Sequence, residues 1–298
     1  MKKNPISYIF ITSRLSRGLV ALATYMQKNG IKVSIASPTT SKESTKLRIP
    51  HIRIIKISIP GKRFLVPTRT LRKFIDDENP HIYVLDQPSL EMARFMRVPF
   101  DDTRLSYGID LSLFNPSSVA VCLQSRFLSE FNIAPHQKLV TVISPLGFGL
   151  DVILKALEMT NSDDLMIALY GSTGRFRAKK IIRQIEKSEH GHKITFIGQD
   201  ADIATILRSS YAVMSLGAHD PLLSMAATSM GRPTIWFDDK SDAAPNIKLK
   251  NTSDPACISD ALRMVLDLGM AERQRIEKNN LAAAKKFDIE KAVKKLVK

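Results

Sequence analysis

The 298-residue sequence predicts an α/β protein with two parallel sheets, and three observations carry that reading. In 193–238 the short runs Ile194-Thr195-Phe196-Ile197, Tyr211-Ala212-Val213-Met214 and Thr234-Ile235-Trp236-Phe237 are rich in β-branched and aromatic residues, as in strands buried on both faces. Between those runs, 202–209 and 221–230 have helical length, and strands that alternate with helices pair in parallel through crossovers. The chain also opens on a strand, helix, strand pattern, so the same architecture is expected twice: two Rossmann-like domains.

Taken in order, residues 6–12 read as a strand. Residues 18–27 form a helix with Leu19, Leu22, Ala23 and Met26 on one face, and Asn29-Gly30 stops it. A second strand spans 31–36, a polar connection 39–46 and a third strand pattern 52–59. A basic helix at 67–75, a strand at 81–85 and a helix at 89–96 follow. Past Asn115-Pro116 come a helix at 119–131, a strand at 139–143, the loop 144–149 and a helix at 150–159. The strand 165–170 ends in Gly171-Ser172-Thr173-Gly174 before a basic helix opens at Arg175. Gly231-Arg232-Pro233 turns the chain into the strand at 234–237, because proline cannot continue a helix.

Composition bounds the function. Hydrophobic residues make up 44% and charged residues 24%, which is a globular composition and excludes disordered and collagen-like classes. The formal net charge of +15 attracts anions: phosphates, nucleotide diphosphates, acidic lipid head groups or nucleic acid. Cys122 and Cys257 lack partners at ligand spacing, and the six histidines show no metal-binding pattern, so no metal site is expected. The apolar run near the N-terminus is too short for a signal sequence and reads as the first strand. The expected location is the cytoplasm, with peripheral contact at the inner face of the cytoplasmic membrane.

Four segments carry a family resemblance. They are Tyr107-Gly108-Ile109-Asp110-Leu111-Ser112-Leu113-Phe114-Asn115-Pro116, Met225 through Ile235 with its Gly231-Arg232-Pro233, Asp254-Pro255-Ala256-Cys257-Ile258, and Phe287-Asp288-Ile289-Glu290. In this order they resemble the bacterial GT-B glycosyltransferases, in particular the family-four retaining enzymes. The resemblance implies a shortened N-terminal, acceptor-side domain at 1–106 and a donor-side domain at 107–269. It also implies C-terminal helices at 270–298, the last crossing back to the first domain. It further implies transfer of a sugar from a nucleotide-diphosphate sugar to an envelope glycan or lipopolysaccharide core, with no cofactor.

Carried onto this chain, the donor site falls on Gly147, Gly149, Gly171, Arg175, Gly198, His219, Asp220, Leu222, Leu223 and Ser224. The acceptor side falls on Arg14, Arg17 and Gly18. Arg14, Arg17 and Arg175 each follow a strand end, the side of a parallel sheet where ligands bind. The segment 171–180 has two readings, a glycine and cation cradle for an anion or a turn followed by a solvated charged face. Departures from the family pattern are concentrated at the donor site. Pro145 and Phe148 stand where the family has its diphosphate-binding arginine and lysine. Ala218 and Ala226 stand where it has two glutamates. His219 and Asp220 are the nearest polar substitutes, while Asp220 before Pro221 also fits a helix cap. The alternative is therefore a catalytically inactive remnant acting as a binding or scaffold module. Specific nucleic-acid binding has no motif behind it.

Overall fold

A computed structural model describes residues 7–13, 15–38, 52–57, 67–101, 108–144, 149–171, 175–197, 202–216, 221–237 and 244–297. The chain divides into two compact units, Met1–Asp110 with Asp288–Lys298, and Leu111–Phe287.

The first unit holds β1 (Ser7–Ile11), α1 (Arg17–Lys28), β2 (Lys32–Ser37), β3 (Arg53–Lys56), α2 (Arg69–Glu78), β4 (His81–Val84) and α3 (Gln87–Met96). Among the described residues its sheet has four parallel strands in the order β3-β2-β1-β4. Successive side chains of a strand point to opposite faces. Tyr8 and Phe10 accordingly join Tyr83 under α1 on one face, and Ile9 and Ile11 join Ile82, Val84, Leu71 and Phe74 on the other.

The first face is completed by α11 (Ile289–Leu296), whose Ile289, Ala292 and Val293 enter the same apolar cluster. Asp288 caps that helix by accepting from the Glu290 amide at 3.0 Å, and the Ile289 amide donates to the Ile109 carbonyl at 3.0 Å. The Tyr83 hydroxyl ties its last turn by donating to the Leu296 carbonyl at 2.9 Å.

The second unit runs α4 (Val121–Glu130), β5 (Lys138–Ile143), α5 (Leu150–Thr160), β6 (Leu165–Tyr170), α6 (Arg175–Glu186), β7 (Ile194–Ile197), α7 (Ile203–Ser209) and β8 (Ala212–Ser215). It continues with α8 (Pro221–Ser229), β9 (Thr234–Trp236), β10 (Ile247–Lys248), α9 (Pro255–Leu266) and α10 (Met270–Ala284). Among the described residues its sheet has six parallel strands in the order β10-β9-β8-β5-β6-β7. Val140, Val142, Ile167, Leu169 and Met214 pack against α5 and α9. Leu139, Ile143, Met166, Ala168 and Val213 pack against α4, α7 and α8. The sheet is thus buried on both faces, which is why its strands read as continuous apolar runs. Met214, Met225, Met230 and Trp236 are buried in this core.

Local differences from the sequence reading have local causes. Helix α1 starts at Arg17, one residue before Gly18, because Ser16 caps it by accepting from the Leu19 amide at 3.2 Å. Helix α4 starts at Val121, since Asn115 first caps a short 3-10 turn, Pro116–Ser118, by accepting from the Ser117 amide at 2.9 Å. Strand β3 spans four residues, and the end of the stretch expected as strand, 58 and 59, lies outside the described residues. No helix among the described residues is long and apolar enough to cross a membrane.

Candidate functional site

In the second unit the chain steps from β5 to β6 to β7 on one side, then returns to the other flank of β5 for β8. At such a switch point the connections leaving two neighbouring strands diverge to opposite faces, and a crevice opens at their carboxyl ends. Leu216 follows β8 and donates from its amide to the Ile143 carbonyl at 3.0 Å, holding the two strand ends together. Gly149 opens α5 at this spot with φ +77°, a left-handed conformation that glycine adopts without strain. Among the described residues no side chain caps α5, and its first-turn amides form the positive end of the helix dipole. Asp151 in that turn accepts from Gln184 Nε2.

Several residues of the expected donor set lie along the carboxyl edge of this sheet. Gly149 lies beyond β5, Gly171 at the end of β6, Arg175 at the first position of α6, and Leu222, Leu223 and Ser224 in the first turns of α8 beyond β8. Leu223 and Ser224 are buried, Leu223 in the apolar cluster beneath the helix, so what they offer a ligand is main chain. Gly147, Gly198, His219 and Asp220 lie outside the described residues, as do Pro145, Phe148, Ala218 and the side chain of Arg175. Ala226 is 1% exposed and packs with Ile206, Val213, Leu223 and Met230. A methyl group in an apolar cluster therefore stands where the resemblance places a carboxylate.

The first unit has its own switch point, between β1 and β4. Of the residues expected on the acceptor side, Gly18 is buried in the first turn of α1, while Arg14 and the Arg17 side chain lie outside the described residues. The residue that organises this end is Asp86, which sequence reasoning missed. Its Oδ1 accepts from the Ser89 amide at 3.0 Å and the Ser89 hydroxyl at 2.6 Å, capping α3. Its Oδ2 accepts from the Ser13 amide at 2.6 Å, the Ser13 hydroxyl at 2.9 Å and the Thr12 hydroxyl at 3.0 Å. One carboxylate thus joins both loops of the switch and fixes where the 13–17 connection begins. The available signal was Asp86-Gln87-Pro88, an acid two residues ahead of a proline.

Burial pushes the Asp86 carboxyl up, but the hydrogen bonds from Ser89 and Ser13 outweigh it and hold the group below its ordinary value of 3.8. A carboxylate with a depressed folded value contributes stability that is present above the unfolded value and lost as pH falls through the folded one. Asp86→Asn is expected to destabilise the chain by about 2 kcal/mol at neutral pH, because its amide leaves donors of Thr12 and Ser13 unmet. The gap to wild type should close below about pH 4. Urea unfolding of both proteins from pH 3 to 7 checks this, and a gap that stays constant over that range would refute it.

No protein-family model and no curated protein sequence matches this chain. Solved structures do match. A glycosyltransferase from Rickettsia africae superposes with a TM-score of 0.75 at 12% identity, covering 99% of this chain and 97% of that one. HepE of Anabaena, solved with UDP and glucose, gives 0.70 at 13% identity and 98% of each chain. WaaG, a glycosyltransferase involved in lipopolysaccharide biosynthesis, gives 0.61 at 11% identity and 98% of each chain. The chain has the GT-B fold. Among the described residues the sheet of the first unit, with four strands, is the smaller of the two.

Proposed function

We propose that this chain is a glycosyltransferase-like protein that receives the diphosphate of a nucleotide sugar at the carboxyl edge of the second sheet. One observation carries the reading: the uncapped start of α5 at Gly149, placed at the switch between β5 and β8. Free amides at a helix N-terminus suit a diphosphate, and a net charge of +15 favours its approach. The UDP and UDP-glucose complexes of HepE support this donor class. The likeness to WaaG supports an envelope glycan or lipopolysaccharide core as the acceptor, and the net charge of +15 supports meeting it at an acidic membrane surface.

A second reading is favoured by Ala226, whose burial leaves no carboxylate for the sugar or ribose at that position. On that reading the same edge binds nucleotide without transferring sugar, and the protein serves as a binding or scaffold module.

Gly149→Asp tests the shared step. Aspartate tolerates the left-handed conformation better than most residues, so the fold should survive, while a negative charge is set beside the diphosphate. Calorimetry with UDP should show affinity weakened more than about tenfold, an energy of roughly 1.4 kcal/mol. Unchanged affinity would place the diphosphate elsewhere.

A further inference from the structure

A group of cations lies at the opposite, amino edge of the same sheet. Arg208 lies in the last turn of α7, Tyr211 precedes β8, Arg232 precedes β9, and Arg273 and Glu277 come from α10. The Arg273 guanidinium carbon sits 3.4 Å from the centroid of the Tyr211 ring, and its Nη2 donates to the Tyr211 carbonyl at 3.3 Å. Arg232 Nη2 donates to the Arg208 carbonyl, and Arg208 Nη1 lies 3.5 Å from Glu277 Oε1. Lys138 reaches the same tyrosine ring, with its Nζ 5.3 Å from the centroid, and donates to the Leu266 carbonyl at 2.9 Å. Three guanidinium groups are therefore held in fixed orientations with one carboxylate among them.

Those contacts leave donors over. Arg208 Nε, Arg232 Nε and Arg273 Nη1 are buried nitrogen atoms with no protein acceptor. A buried charged donor without an acceptor is costly, and three arginines that each carry one, near enough for Arg208 and Arg273 both to act on Arg232, are an unusual way to stabilise a fold. Burial first, then Arg208, push the Arg232 guanidinium down to about 10, with Glu277 pulling the other way and Arg273 adding to the push. Arginine keeps its proton in proteins. Deprotonation is therefore not the way such a cluster is neutralised.

We propose that Arg208, Arg232 and Arg273 form a binding site for a doubly charged phosphate group, either inorganic phosphate or a phosphate monoester. Three guanidinium charges, with Lys138 beside the same tyrosine ring, face the single carboxylate of Glu277, and a dianion offsets that surplus further than another single carboxylate would. Tetrahedral oxygens also accept from several directions at once, as donors arriving from α7, the turn before β9 and α10 require, and guanidinium forks suit phosphate. The site is separate from the nucleotide edge, since it lies at the other end of the strands.

The test uses the full chain labelled with 15N-arginine, titrated with inorganic phosphate at constant ionic strength made up with sodium chloride. The Nε resonances of Arg208 and Arg232 are expected to shift saturably, and to do so equally well with UDP present in excess. Arg208→Gln and Arg273→Gln should each weaken phosphate binding at least tenfold, read from the remaining Nε resonances, while the melting temperature in chloride changes little. Should one variant fail to fold, the other and the wild-type titration still decide. Phosphatidate vesicles that capture the protein and release it on adding phosphate would assign the group to a lipid head group. Binding of glycerol 3-phosphate without vesicle capture would assign it to a soluble monoester. Resonances that stay still, or shift equally with chloride, would overturn the proposal. So would loss of the phosphate response in excess UDP, which would make it a response of the nucleotide site, or phosphate affinity unaltered in both variants.

Discussion

Calorimetry on the purified chain is expected to return nearly equal affinities for UDP and for UDP-sugars, and donor assays to return no detectable transfer. The sugar must find acceptors for its hydroxyl groups, and where the resemblance places one glutamate the chain has Ala226, 1% exposed in an apolar cluster. Each hydroxyl left without a partner costs on the order of 1 kcal/mol. That offsets what the extra contact area of the sugar gains, so discrimination among donors should stay within a few-fold. For turnover the argument is stronger. Removing one preorganised electrostatic group lowers rates by roughly 10²–10³. The sequence lacks two cations and two carboxylates relative to the pattern it resembles, at Pro145, Phe148, Ala218 and Ala226. Even partial additivity removes a rate factor on the order of 10⁴ or more. Residual nucleotide affinity should fall steeply with added salt, because it rests on backbone amides and general surface charge. Low-micromolar binding that distinguishes sugars would sink this expectation. So would transfer abolished by His219→Ala or Asp220→Ala, which would mean that a relocated polar pair had taken over the lost glutamates' work.

What the sequence made legible is what local chemistry specifies. Asp254-Pro255 reads as a helix start, and Asp254 caps α9 by accepting from the Ala256 amide at 3.0 Å with Pro255 at the first position. The apolar runs read as strands because burial on both faces removes every polar position from them. At the carboxyl edge of the second sheet, the position of Gly171 was legible because it directly follows an apolar strand, and the helix starts at Gly149 and Arg175 because an apolar strand, a short glycine-containing loop and a helical pattern succeed one another. What stayed hidden depends on residues far apart in the chain. Asp86 matters because Thr12 and Ser13, 74 and 73 positions earlier, meet its second oxygen. The guanidinium cluster draws on positions 208, 232 and 273, each an ordinary surface arginine when read alone. Strand β10 is two residues long, too short for alternation to register, and exists because Ile247 and Lys248 pair with β9.

Replacing Gly108 by alanine is expected to destabilise the first unit by about 3 kcal/mol, although the residue touches no ligand. A Cβ at this position would lie 2.4 Å from the Ile289 Cα, 2.6 Å from its amide nitrogen and 2.9 Å from the Asp288 carbonyl carbon. All three atoms are backbone, so no rotamer change relieves the clash. Either the methyl group is accommodated by strain, at roughly 1–3 kcal/mol as in other overpacked sites, or α11 withdraws. Withdrawal exposes Ile289, Ala292 and Val293, breaks the 3.0 Å bond from the Ile289 amide to the Ile109 carbonyl and loosens the Tyr83 tie to Leu296. Burying one large aliphatic side chain is worth about 2 kcal/mol, so withdrawal costs on the order of 5 kcal/mol before the helix regains any entropy. Strain is therefore the cheaper response, with α11 still docked but weakly held. Hydrogen exchange should show α11 amides opening far more often in Gly108→Ala, while α9 amides in the second unit are unchanged. Gly269→Ala is the matched control: nothing lies within 4 Å of the added carbon, and its effect should stay within about 0.5 kcal/mol. Equal urea midpoints for Gly108→Ala and Gly269→Ala would mean that α11 does not approach Gly108 as closely as described.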